Sequence, residues 1–231
     1  MQLPKIKIPK KFIISIIILL ALILTAWQII PRINAAKYTA EEIIESSISN
    51  LQNAPALKFT VVSTLTVDDN TREYGNINGE ILKNGDFHIA GNLLGSQIQM
   101  YQIGDDTYRL DTITDNWQKT EENAIIYNTA LFNETNPLQQ FEFSNYTAAQ
   151  IIDIPDEKAL CVKFCPNLEA AAVSQYFTNL TYTIYCDTNL NLYKTVISGD
   201  LTNNSVDGKL EITTTFEKLA ANYQIEPPII N

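Results

Sequence analysis

Two periods of hydrophobic residues follow one another near the start of the polar part of this chain. Ile44, Ile48 and Leu51 recur on one helical face behind Thr39-Ala40-Glu41-Glu42, which has the spacing of a capping box, and Pro55 closes the helix. From Leu57 to Val67 the period drops to two: Leu57, Phe59, Val61, Leu65 and Val67 alternate with Lys58, Thr60, Thr64 and Thr66. Alternation puts like residues on one side of a pleated strand, so this stretch predicts a sheet with unlike faces.

Short strand-like segments continue over 73–83, 86–92, 96–103 and 106–112, separated by the turn formers Asn84-Gly85, Gly91-Asn92 and Gly104-Asp105-Asp106. Separations this short leave no room for crossover helices, so the strands must form an antiparallel meander. Beyond Trp117 the texture becomes helical over 121–132 and again over 137–141. Strands return at 146–154 and 158–165, followed by a helix expected from Pro166 to Phe177. Three strands, 180–186, 190–198 and 209–217, close the domain. About ten strands with three or four helices bury one face most economically when the sheet curls around a helix.

Ahead of all this, Phe12 to Ile30 are 19 residues without a formal charge, enough helix at about 1.5 Å per residue for a bilayer core. Lys5, Lys7, Lys10 and Lys11 precede it, which places the amino terminus in the cytoplasm and the rest of the chain outside. A secretory signal cleaved near Ile33-Asn34-Ala35 is the alternative, and both readings export the remainder. The expected organisation is a basic tail (1–11), a transmembrane anchor or uncleaved signal (12–30), a short tether (31–37) and one extracytoplasmic domain (38–231). The localisation implied is the cell membrane, single-pass.

Charge narrows the partners. The chain carries a net −10, and without its four leading lysines about −14, which disfavours nucleic acid and anionic surfaces. Cys161 and Cys165 are too far apart along a strand to bridge each other, so a disulfide would join Cys186 to one of the two. No GxSxG, HExxH, CxxC or phosphate-binding glycine loop is present, the one histidine, His88, lies in a strand-like stretch, and the acidic turns at Asp68-Asp69-Asn70 and Asp111 to Asp115 lack the spacing of a calcium loop. No metal, cofactor or catalysis is expected.

Residues 78–119, "NGEILKNGDFHIAGNLLGSQIQMYQIGDDTYRLDTITDNWQK", carry a turn, a Phe-centred strand, an IGDxxY hairpin and a tryptophan. This order, with the helix before it and the helical excursion after it, resembles the LolA and LppX family of bacterial envelope proteins. On that likeness Phe87, Tyr101, Gly104, Asp105, Tyr108 and Trp117 are hairpin and packing residues. The resemblance implies an α+β fold in which a strongly curved antiparallel sheet, a half-open barrel, wraps around helices. It also implies the binding of acyl chains or whole lipids in the concavity. Two departures are plain: no lipid-modified cysteine follows the apolar run, and a retained anchor would prevent diffusion as a free carrier.

The functional expectation is therefore a membrane-tethered, non-catalytic binding protein for a lipid or other apolar ligand. The expected cavity lining is Leu57, Phe59, Val61, Leu65, Ile77, Ile81, Phe87 and Ile89, with Tyr101 and Trp117 nearer the mouth. The alternative is an envelope sensor or protein-interaction module whose core is filled.

Overall fold

A computed structural model of the protein describes residues 37–120, 136–154, 159–167, 177–202 and 207–230. The chain divides into two units, Met1–Thr39 and Ala40–Asn231. The helix expected over 12–30 lies outside the described residues, and among those described no helix is long and apolar enough to cross a membrane.

The second unit opens with helix α1 (Ala40–Gln52) and continues as β1 (Ala56–Val67), β2 (Asn70–Leu82), β3 (Phe87–Leu93), β4 (Ser96–Ile103), β5 (Asp106–Asp111) and β6 (Asn116–Thr120). A 3-10 helix at Pro137–Phe141 precedes β7 (Asn145–Ile152), β8 (Leu160–Asn167), β9 (Phe177–Cys186), β10 (Leu192–Leu201) and β11 (Gly208–Lys218). All eleven strands form one antiparallel sheet in the order β6-β5-β4-β3-β2-β1-β11-β10-β9-β8-β7. It is a large, curved sheet that does not close into a barrel.

The turn expected at Gly91-Asn92 moves to Leu94-Gly95, because Gly91 and Asn92 pair with Ile77 and Asn76 inside the sheet. Asp68 and Asp69, at φ 47° and 63°, make the two-residue connection between β1 and β2, and Leu94 and Gly95, at φ 52° and 79°, make the one between β3 and β4. Left-handed conformation at both central residues matches the right-handed twist of the strands they join. The pairing of β1 with β11, with Phe59 opposite Phe216 and Leu65 opposite Leu210, sews the first meander to the second.

Side-chain alternation then assembles a continuous apolar face. One row runs through Val162, Ile184, Thr195, Thr214, Val61 and Ile77, and a second through Phe164, Tyr182, Ile197, Ile212 and Ser63. Helix α1 lies against β7, β8 and β10, with Ile43, Ile44, Ser47 and Leu51 buried on one stripe. Each such aliphatic side chain contributes about 1.5–3 kcal/mol on full burial. The 3-10 helix covers the same face: Phe141 meets Phe216 with ring centroids 6.3 Å apart, and the Thr195 hydroxyl donates to Gln140 Oε1 at 3.1 Å. Phe143, Tyr146, Phe164 and Tyr182 form an aromatic cluster beside it.

Two further expectations change. Strand β6 spans Trp117, where the sequence marks only the end of the strand texture. The helix expected from Pro166 to Phe177 is corrected at both ends, because Pro166 and Asn167 pair with Tyr146 and Asn145 while Phe177 opens β9. Pro166 fits a strand there because the pairing of β8 with β9 is registered from Leu160 to Phe164, so β9 takes no hydrogen bond from the missing N–H. The helix expected over 121–132 lies outside the described residues, whereas 137–141 is the 3-10 helix.

Close approach explains one glycine. Gly79 faces Phe59 across the pair, and a Cβ there would stand 2.5 Å from Phe59 Cζ and 2.6 Å from the His88 carbonyl oxygen. The Phe59 ring covers the glycine. Gly79→Ala is therefore expected to destabilise the protein by about 1–3 kcal/mol through overpacking. A urea midpoint equal to that of the wild type would show that the ring does not occupy that space.

The β9–β10 turn is held by one carboxylate. Asp187 Oδ1 accepts from the backbone N–H groups of Asn189 and Asn191, both at 2.8 Å, and Oδ2 accepts from the Asn191 side-chain amide at 2.8 Å. The Leu190 carbonyl accepts from Asn50 on α1 at 3.2 Å, so this turn also fastens the helix. Partial burial opposes ionisation, but these hydrogen bonds and Lys218 together hold the Asp187 carboxyl below its ordinary value. A lowered folded value means that the stabilisation is complete above the unfolded pKa of about 4 and is lost as the pH falls through the folded value. Asp187→Ala is expected to cost about 1–2 kcal/mol at pH 7 and less below pH 4, read from denaturation midpoints at both pH values.

Candidate functional site

The ten residues expected to line a cavity divide into three groups. Leu57, Phe59, Val61, Ile77, Ile81, Phe87 and Ile89 share the apolar face, and all seven are buried. Leu65 lies on the same face but is only half-buried, at the end of the sheet. Tyr101 and Trp117 are corrected to the opposite face, because parity decides it: Met100 pairs with Ile89 on the core side, so Tyr101 turns outward with His88. Trp117 follows through the Tyr101–Tyr108 and Leu110–Trp117 pairs.

On that outer face the two aromatics belong to a packed polar ladder. The His88 ring stacks on Tyr101 at 4.2 Å, and Trp117 meets Tyr101 edge-on at 5.3 Å. His88 Nδ1 lies 2.8 Å from Glu80 Oε2, and Lys119 pairs with Asp106 at 2.7 Å. Burial and the nearby Glu80 carboxylate raise the Tyr101 phenol pKa.

The half-exposed end of the apolar face contains a cleft of about 760 Å³, lined by Leu65, Val67, Asp68, Asn70, Arg72, Glu73, Tyr74, Leu94 and Gly95. Its size falls within the roughly 300–1,000 Å³ typical of small-molecule sites. Two features of the sequence build it. The β1–β2 hairpin is longer than its neighbour, because pairing of β2 with β3 ends at Gly75–Leu93 and leaves 70–74 overhanging. A register shift between Ser63 and Thr64 then makes Tyr74 an extra residue, which brings Arg72 opposite Leu65 and onto the apolar side.

The cleft is fixed on both walls. The Leu94 N–H donates to the Tyr74 carbonyl at 2.6 Å, and the Asp68 N–H donates to the Asp207 carbonyl at 3.0 Å. Leu94 presents an apolar side chain that is 59% exposed. Arg72 makes no ion pair or hydrogen bond among the described residues, although Asp68 and Glu73 line the same cleft. Glu73 instead accepts from the Asn76 amide at 3.3 Å. Sequence reading identified Leu65 but missed Arg72 and Leu94. The unequal hairpin lengths were the available signal.

The cysteines form no disulfide. Cys186 pairs in register with Leu160, and Cys161 with Tyr185, so the two thiols project to opposite faces. Cys165 lies beyond the Phe164–Tyr182 pair, about 13 Å or more from Cys186 along the sheet, which rules out the other expected bridge in this geometry. Burial pushes the Cys186 thiol up to about 12, despite a hydrogen bond involving Ser47 that acts the other way. Alkylation after denaturation without reductant should modify all three cysteines, whereas native alkylation should reach Cys165 first, since Cys161 and Cys186 are buried. A single modified cysteine in the denatured, unreduced chain would restore the expected bridge. Among the described residues no group of acidic, cysteine or histidine side chains is placed to hold a metal.

No protein-family profile matches the chain. No curated protein matches it either. Among solved structures it is similar to LprF from Mycobacterium bovis, with 16% identity, coverage of 82% of this chain and 96% of the other, and a TM-score of 0.49. It is also similar to a LolA superfamily protein from Nitrosomonas europaea (12% identity, 79% and 96% covered, TM-score 0.31). A DUF1329 family protein from Desulfovibrio piger follows (6% identity, 81% and 93% covered, TM-score 0.37). The second is named for the superfamily that the sequence resembles. The architecture described above rests on the chain's own strand order and register.

Proposed function

We propose that this chain is a binding protein for an amphipathic or apolar ligand, which it takes up at the rim of the sheet. One observation carries the reading: a cleft of about 760 Å³ whose floor, Leu65 and Val67, continues the apolar face of β1 and whose wall includes the exposed Leu94. Each methylene of a chain buried there would contribute about 0.8 kcal/mol. Tethering at the outer face of a membrane by residues 12–30 belongs to the same proposal, supported by the uncharged run and the lysines before it.

A second reading has its own support. Seven of the ten expected lining residues are buried as core, which favours an interaction module with a filled concavity. Leu94→Asp separates the two. The left-handed backbone at Leu94 (φ 52°) suits Asp better than Leu, so the fold should survive. The wild type should take up one equivalent of a fluorescent acyl probe, and Leu94→Asp should weaken uptake about tenfold with an unchanged melting temperature. Failure of the wild type to take up the probe would leave the filled-core module as the reading.

A further inference from the structure

The Arg72 side chain has no ion pair among the described residues, in a cleft whose lining includes Asp68 and Glu73. Asp68 and Glu73 line the same space, yet no ion pair forms between either of them and Arg72 among the described residues. Arg72 and Asp68 are thereby available to a ligand, whereas Glu73 accepts from the Asn76 amide. Their placement is ordered: Arg72 faces the apolar side opposite Leu65, Glu73 sits opposite Thr64 on the other side, and Asp68 lies at the hairpin tip.

Resting on the binding function proposed above, we infer that the ligand is a zwitterionic amphiphile, with an acyl chain on Leu65 and Val67, a phosphate at Arg72 and an ammonium group toward Asp68. The guanidinium suits phosphate because its planar fork of N–H donors matches two phosphate oxygens at once. A ligand with only a negative headgroup would gain Arg72 but meet the Asp68 carboxylate, within a chain of net charge −10. A neutral headgroup would gain neither charge. The zwitterion is the headgroup class that engages both Arg72 and Asp68.

The test uses the full chain and four probes: lysophosphatidylethanolamine, lysophosphatidylglycerol and monoacylglycerol of one acyl length, and chain-free phosphoethanolamine. Below their micellar concentrations, the zwitterionic lipid should bind about tenfold more tightly than either other lipid. Arg72→Gln should remove that advantage with an unchanged melting temperature, a result that loss of folding would not give. Asp68→Asn should bring the anionic lipid up to the zwitterionic one. Asp68 is exposed, and Asn tolerates its left-handed backbone (φ 47°).

Equal binding of the three lipids, or an Arg72→Gln protein that keeps the preference, would overturn the headgroup assignment and leave apolar binding standing. Phosphoethanolamine binding as tightly as the lipid would also overturn it, since the apolar floor would then contribute nothing. If no lipid binds at all, the binding function itself falls, and the headgroup assignment with it.

Discussion

The pairing of β1 with β11 is the constraint on which the rest of the structure depends. It joins, in the middle of the sheet, the strands that come first and last in the sequence, and through it Phe59 meets Phe216, Val61 meets Thr214 and Leu65 meets Leu210. Without that ladder there would be two separate meanders, each exposing an apolar face. With it, rows of buried side chains run from β8 through to β2. The pairing closes a loop of about 150 residues, and such non-local contacts make folding slow compared with helical proteins.

The same pairing determines where the chain must travel between its two halves. The first meander ends at the β6 edge and the second begins at the β7 edge, on the far side of the sheet. The described end of that connection, the 3-10 helix, lies on the apolar face, where Gln140 meets Thr195 and Phe141 meets Phe216. Thr195 and Thr214 are buried there, and the Thr195 hydroxyl is satisfied by that crossing chain. Helix α1 occupies the neighbouring part of the face, fastened by the Asn50–Leu190 hydrogen bond. The curved sheet is thus covered from its own sequence over much of its area. Open space of ligand size is found at the rim, where the long β1–β2 hairpin outruns β3.

That arrangement shifts the functional emphasis. A deep cavity beneath Phe59 and Ile77 would require those side chains to move, whereas the rim cleft requires no core rearrangement. Its walls are tied by backbone hydrogen bonds at Leu94 and Asp68, so a ligand would meet a site that is already shaped. In the outer-face ladder of Glu80, His88, Tyr101 and Trp117, His88 Nδ1 meets Glu80, while His88 Nε2 is buried without a partner among the described residues.

The sequence by itself determined the sheet and its faces. Strict alternation from Leu57 to Val67 and the Asn, Asp and Gly turns place most strands within a few residues of where they lie, because period and turn chemistry are local properties. It also identified seven residues of the apolar face in β1, β2 and β3. Tertiary structure alone decided the side on which Tyr101 and Trp117 fall, since a large aromatic is acceptable on either face and only the register with Ile89 and Met100 fixes parity. Register likewise separated Cys161 from Cys186 across the sheet and made Pro166 a strand residue. Arg72 reached the apolar side because a single extra residue, Tyr74, reversed the alternation, and such an extra residue is defined only against a partner strand.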